Sequence, residues 1–432
     1  MKFPGKRKTK HYFPVNESGR IPFDPDFSER SSVYVVGIDQ LIVDIEANVS
    51  FEFLEKYKIQ KGESVVFDDK IVEEIYRELK ANKCIVGEYA GGAIGNTLHN
   101  YSVLSDSRSV ALGAISKNIS VGDYAFKYIC TTNSFVDFSY LKPVDGPMGR
   151  ALCLLTPDHE RSFLIGKGIM NELSPDYVPE EVVKGAAALL VSAYSLRDEN
   201  SSMFQANLKA CQYAKESNVP VILSLGTSSL IAAKREFFLN FIREYVSVCA
   251  MNEEEAHALV NENDPLLACE KVLDYTDMVL LTVGPRGLYI AAYADEEYKR
   301  ETKDMIHSKS IGEYNKYEYS RAILKKDCKH PFKIYTHINP YMGGPGVIKN
   351  TNGAGDAALS AVLHDIASNT YHRQVTPNSP KHNTRYLTYS SIHQVSKYCN
   401  RASFEVLKQN SPRLIKGLPN REESLEDAYW DL

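Results

Sequence analysis

No Cys-x-x-Cys pair occurs in the 432 residues, and the eight cysteines, Cys84, Cys130, Cys153, Cys211, Cys249, Cys269, Cys328 and Cys399, stand far apart. This spacing argues against a zinc site or a disulfide scaffold and reads as thiols in a reducing, cytoplasmic compartment. Long apolar runs are also missing. The most apolar stretch, Gly185 to Ala193, is about half the length a membrane span needs, and the N-terminus carries charge without an apolar core. A membrane partner is therefore not expected. Charge of one sign is scarce too: the net charge of -5 gives no general drive toward nucleic acid. No Gly-x-x-x-x-Gly-Lys-Ser/Thr run supports a P-loop kinase, and no internal repeat is evident.

What is present fits a globular enzyme. Hydrophobic residues make up 44% and charged residues 24%, and the length suits one large domain with insertions or two to three average ones. The rest of the chain is organised around Asn350 to Asp365, a glycine-bracketed turn running into an alanine-rich helix. Gly353, Ala354 and Gly355 can turn backbone N–H groups inward, and a helix starting there aims its positive end at the same point, which makes an anion hole. Asp356 sits where the helix begins, placed to deprotonate a hydroxyl beside a phosphoryl group. The same four residues also fit an ordinary loop whose aspartate stabilises the first helical turn.

Further polar positions sit at loop and helix junctions. Val33 to Ile38 reads as a buried strand leading into Asp39, Gln40, Leu41, Ile42, Val43 and Asp44, where the two aspartates are candidates for holding sugar hydroxyls at a sheet's carboxyl edge. Gly91, Gly92, Ala93, Ile94, Gly95 and Asn96 form a second glycine turn meeting a helix start, with the Asn96 amide able to reach a polyol. Arg197 follows a strand near Ala188 to Val191 and reads as a contact for a base, a phosphate or only a surface carboxylate. Asn252 and Glu255 share one face of a first helical turn, where they can hold waters around magnesium or simply form an acidic helix start. Thr282, Gly284 and Gly287 bracket a turn after another strand that can take a nucleotide phosphate or ribose.

The alternation of strands and helices from Val182 onward predicts a parallel sheet with helices on both faces. A basic, proline-broken arm covers 1–32, followed by one domain over 33–432. Within it, the hairpin of Gly149 to Leu155 and Arg161 to Ile165 suggests a lid, with lid segments at about 46–88 and 133–166. Residues about 294–349 read as an insertion with its own helix near Tyr314 to Lys325. A long helix is expected over Leu387 to Leu407, after a polar loop at Asn369 to Asn383. The tail from Ser411 onward is expected to wrap the surface.

Taken in order, Gly91-Gly92 with Asn96, Asn252-x-x-Glu255, Thr282-x-Gly284 and Thr351-x-Gly353-Ala354-Gly355-Asp356 resemble the ribokinase-like carbohydrate and purine kinases. Asp44-Ile45-Glu46-Ala47 is similar to the adenosine kinase branch. The basic start, the long insertion and Ser411-Pro412-Arg413-Leu414 resemble the bacterial inosine-guanosine kinases over essentially the full chain. The resemblance implies a three-layer α/β/α sandwich with a mainly parallel sheet and a small β lid. It also implies transfer of phosphate from ATP to the 5′-hydroxyl of inosine or guanosine, in purine salvage. Asp356 would be the base, Asp44 and Asn96 would hold ribose, and Thr282, Gly284, Gly287, Asn352 and Gly353 would bind ATP. Mg²⁺ would be held through water by Asn252 and Glu255. A K⁺ site beside the loop is part of the pattern, but Asn350 stands where the family usually has aspartate. Assembly into a homo-oligomer and a purine nucleotide effector stay open. So do an adenosine or sugar kinase of the same fold and a non-catalytic nucleotide-sensing protein.

Overall fold

The computed structural model describes residues 33–418 apart from 63, 159, 308, 309 and 341–347. The basic arm at 1–32 and residues 419–432 lie outside the described residues.

Short β-branched and aliphatic runs form the centre of a ten-stranded sheet. Val35–Ile38 pairs in parallel with Leu189–Ser192 on one side and Ser109–Ser116 on the other. From Leu189–Ser192 the sheet continues in parallel through Val221–Ser224, Val246–Asn252 and Met278–Thr282. Leu288–Asp295 and Pro331–Ile338 then extend it in antiparallel fashion.

Successive strand residues point to opposite faces, so a sheet made of such runs must be covered twice. Val35, Leu190, Ile222, Val248 and Leu280 join one core with helices Ala93–Ser105, Ala354–Val375 and Ile392–Leu407. Val36, Leu189, Leu223, Cys249 and Leu281 join the other with helices Ser202–Glu216, Arg235–Tyr245, Glu253–Val260 and Pro265–Val272. The result is the three-layer α/β/α sandwich that the alternating pattern predicts. Among the described residues no helix is long and apolar enough to cross a membrane.

A second sheet of five strands orders Ser64–Phe67, Arg161–Gly166, Gly149–Leu155, Ile42–Asn48 and Ile85–Ala90. Its own core holds Val43, Ile45 and Ala47, together with Val72, Ile75 and Leu79 of helix Asp69–Ala81. Period-two alternation leaves Ile42, Asp44 and Glu46 on the opposite face of the Ile42–Asn48 strand.

Five expectations are corrected, three of them by strand pairing. Val136–Asp137 and Leu141–Val144 pair with Ser109–Ser116 in the main sheet, so the early part of 133–166 is not in the small one. No helix forms over Tyr314 to Lys325; Arg321–Ile323 is a strand against Tyr386–Ser391, burying Ala322 and Ile323. Pro331–Ile338 is an edge strand rather than part of an insertion. The helix expected from Leu387 begins at Ile392, where the Ser391 hydroxyl caps it by accepting from the Gln394 N–H. The polar loop is shortened as well, because the central helix continues to Val375.

Candidate active site

A cleft of about 870 Å³ opens where the carboxyl ends of the main-sheet strands meet the free face of the five-stranded sheet. Asp356 enters it from the first turn of the Ala354–Val375 helix. That helix is capped by Gly353 at φ +80°, and no side chain caps its first turn. First-turn N–H groups are thus left for an anion, with the positive end of a 22-residue helix behind them. Glycine is required at 353: a Cβ there would lie 2.2 Å from the Pro412 carbonyl oxygen.

Asn96, 4% exposed, comes from the Ala93–Ser105 helix and donates from Nδ2 to Asp356 Oδ2 at 3.0 Å. The glycines before it make room for carboxylates. A Cβ on Gly91 would overlap the Asp44 carboxyl group, at 2.3 Å, and one on Gly92 would lie 2.9 Å from Asp39 Oδ1. Gly95 packs equally close to Tyr128 Oη and Asp39 Oδ2. Asp39, 1% exposed, accepts from Tyr128 Oη at 2.8 Å.

Burial is the main cause of raised pKa values at all three aspartates. Asp356 and Asp44 are pushed up to about 7 and Asp39 to about 6. Neighbouring carboxylates add to the rise at Asp356 and Asp44, whereas Arg413 opposes it at all three.

Arg413 is the residue that sequence reasoning missed. The expectation of a surface-wrapping tail is overturned for 411–418: Arg413, Leu414 and Leu418 are buried. Arg413 donates from Nε to Asn96 Oδ1 at 2.9 Å, from Nη1 to Thr132 Oγ1 at 2.7 Å, and from Nη2 to the Gly91 carbonyl at 3.1 Å and Tyr128 Oη at 3.0 Å. No local signal marks it: of the apolar pair that follows, Leu414 is buried but Ile415 is 76% exposed.

Asn252 and Glu255 line the cleft as a reciprocal capping box. The Glu255 N–H donates to Asn252 Oδ1 at 2.8 Å, the Asn252 N–H to Glu255 Oε2 at 3.0 Å, and Asn252 Nδ2 to Glu255 Oε1 at 2.9 Å. Burial first, then Glu254 and Asp356 among other groups, raise Glu255 to about 7. A carboxylate crowded by negative charge fits a nearby divalent cation. Both its oxygens are already engaged, so contact through water fits better than direct ligation.

Other positions separate by the same geometry. Gln40, Ile42, Gly92, Ala93, Ile94, Arg197, Thr282, Asn352, Gly353 and Gly355 line the cleft, and Gly95 and Ala354 do not. Leu41 and Val43 turn into the two cores, because strand alternation sends them away from Ile42 and Asp44. Gly284 and Gly287 also lie outside the lining; Gly287, at φ +90°, would place a Cβ 1.9 Å from the Ile338 carbonyl oxygen, so close packing accounts for it. Asn350 is 2% exposed and donates to Glu46 Oε1 and the Asn410 carbonyl, while Arg161 donates to the side-chain oxygens of Asn350, Thr351 and Asn352.

The pfkB family carbohydrate kinase pattern matches residues 62–305. This chain belongs to that family. The chain is also 52% identical over 434 residues, covering 100% of both sequences, to the guanosine-inosine kinase of Escherichia coli strain K12. Among solved structures, a probable sugar kinase from Rhizobium etli aligns with TM-score 0.68 at 19% identity over 92% of this chain and 99% of that one. An adenosine kinase from Sinorhizobium meliloti aligns with TM-score 0.66 at 21% identity over 89% and 97%. At those identities the two structures bear on the fold alone. As a member of this kinase family the protein is a phosphotransferase, and Asp356 with its anion-binding turn is the feature suited to that chemistry.

Proposed function

We propose that the protein transfers the γ-phosphoryl group of ATP to the 5′-hydroxyl of inosine or guanosine, giving ADP and the 5′-monophosphate, in purine salvage. The observation that carries this reading is Asp356 beside a helix start without a side-chain cap, in one cleft with Asn96 and Asp44. The full-length likeness to a guanosine-inosine kinase supports the choice of acceptor.

Asn96 occupies Asp356 Oδ2, which leaves Oδ1 to accept the proton of the 5′-hydroxyl. As that proton moves to Asp356, the O5′–P bond forms and the bond from γ-phosphorus to the β,γ-bridging oxygen breaks, ADP leaving with the electron pair. Charge spread over the transferring group meets the N–H groups of the Gly353 to Gly355 turn. Asp44 holds the ribose hydroxyls, and the five-stranded sheet excludes water as a lid. Thr282, Asn352 and Gly353 lie on the ATP side. Asn252 and Glu255 would hold Mg²⁺ through water, where the ion supplies charge neutralisation of the phosphates. The side-chain oxygens of Asn350, Thr351 and Asn352 already accept from a guanidinium, so they do not fit a K⁺ ion. Eight unpaired cysteines accord with a cytoplasmic site of action.

The reading is tested by incubating the protein with ATP, Mg²⁺ and inosine, guanosine, ribose or fructose 6-phosphate and identifying the phosphorylated product. Inosine and guanosine 5′-monophosphates are expected; turnover of the free sugars instead would replace this reading with a sugar kinase.

Asp44→Ala is expected to weaken nucleoside binding by about 2–4 kcal/mol, since a charged acceptor for two hydroxyls is lost, while ATP binding changes little. Calorimetry with each ligand checks this. Equal losses for both ligands would assign Asp44 to folding.

A further inference from the structure

We infer that Arg413 is a positioning residue for the phosphoryl-transfer step: it fixes the Asn96 amide so that Asp356 stays an acceptor with one oxygen open to the substrate hydroxyl. The inference rests on the proposed role of Asp356 and goes beyond it.

Arginine carries donors and no acceptor, so the Asn96 atom facing it must be the oxygen. The 2.9 Å contact from Arg413 Nε to Asn96 Oδ1 therefore turns the Asn96 NH₂ group toward Asp356 Oδ2. Donation to a carboxylate favours its charged form. Were the amide free to rotate by half a turn, its oxygen would face Asp356 and favour the protonated acid, which is useless as a base.

The arginine is itself held from several directions. Thr132, the Gly91 carbonyl and Tyr128 accept from it. The segment carrying it is pinned to the Ala93–Ser105 helix: the Leu414 N–H donates to Asn100 Oδ1 at 2.7 Å, and the Leu414 carbonyl lies 2.9 Å from His99 Nε2. Pro412 meanwhile packs on Gly353. The Ser411–Leu418 stretch thus touches both halves of the phosphoryl-transfer site, although it is some 55 residues beyond the Gly353 turn in the chain. A buried arginine is costly to keep, and orientation of the base is a role that accounts for it.

The test is a double-mutant cycle of Arg413→Gln and Asn96→Ala, with melting temperature, nucleoside and ATP affinities, kcat, and the pH profile of kcat/KM measured for each protein. Arg413→Gln should lower kcat by about tenfold to a hundredfold, part of the contribution of a general base. Both affinities should stay within about threefold, as expected for an interaction used mainly in the transition state. The acid limb should move to higher pH, because the positive charge and the fixed N–H donor both favour the ionised base. In the Asn96→Ala background the same change should add little. Arg413→Lys, which keeps the charge and loses the fork, should fold and show a smaller kcat loss in the same direction, and it serves if Arg413→Gln does not fold. Equal kcat losses with and without Asn96, or a lowered melting temperature with an unmoved pH profile, would overturn the inference. Wild-type protein inactive on inosine and guanosine would instead overturn the substrate reading, and the cycle would then be run on the acceptor that is turned over.

Discussion

Asp356→Asn is expected to lower kcat by about two to four orders of magnitude, the usual contribution of a positioned general base, with nucleoside affinity nearly intact. The amide keeps the shape of the carboxylate and loses only its ability to take a proton. Single-turnover kinetics reads this directly, and near-normal turnover would remove Asp356 from the role of base.

Stability separates a catalytic defect from a folding one. The folded-state pKa of Asp356 is raised from 3.8 to about 7, so its ionised form is disfavoured by folding. The cost is absent below the unfolded pKa, grows as pH rises from about 4 to about 7 and is then constant. Asp356→Asn should therefore melt no lower than wild type at pH 8, and should lose that relative advantage toward pH 4. In wild type, kcat/KM should rise with pH through about 7, because the base works deprotonated and this ratio reports the free protein. Asp44 is also pushed up to about 7 and titrates over the same range, so the limb belongs to the coupled carboxylates. In the asparagine variant the parts due to Asp44, Glu255 and Asp39 should remain.

Local signals in the chain were enough for the layers of the fold. The runs Val35–Ile38, Leu189–Ser192 and Met278–Thr282 are apolar up to the final Ser192 and Thr282 of the last two, as strands covered on both faces must be. The turn at Gly353 to Asp356 was legible for the same reason: its backbone demand and its acid lie within four residues. Asp44 and Asn96 were legible from the glycines and strand ends beside them. Arg413 was not, because its function depends on packing against Gly91, Asn96, Tyr128 and Thr132, hundreds of residues away in the chain, and an arginine in a proline-containing tail carries no local mark of burial. Leu41 and Val43 failed as ligand contacts for a simpler reason. A strand shows only alternate side chains to one face, so a continuous run of six candidates from Asp39 to Asp44 overstates the site. Gly287 shows how a turn composition shared with phosphate loops can arise from close packing on a neighbouring carbonyl.

Inosine and guanosine are expected to exceed adenosine in kcat/KM by up to about 10⁴-fold if the base pocket is dry, and by much less if water fills it. Both 6-oxopurines present O6 as an acceptor and N1–H as a donor, whereas adenosine reverses the two. A pocket built for one pattern leaves buried groups unpaired against the other, at about 1–3 kcal/mol for each. One feature of the cleft favours the oxo pattern. Arg197 lines it and can only donate, which suits O6 and opposes the adenine amino group. Gln40 donates from Nε2 to Asn171 Oδ1 at 2.5 Å, which leaves an acceptor on Gln40 and a donor on Asn171, a pair that complements either purine edge. Leu41 is removed as a reader by its burial in the core, and Asp39, which lines the cleft, is engaged by the Tyr128 hydroxyl. The measurement is kcat/KM for inosine, guanosine and adenosine at fixed ATP, repeated with Arg197→Met and Gln40→Leu. Arg197→Met should narrow the gap by lowering the rate with oxopurines more than with adenosine, whereas Gln40→Leu should lower both rates alike. If wild-type protein handles adenosine as well as or better than inosine, the pocket reads the amino pattern and the protein is an adenosine kinase of the same fold.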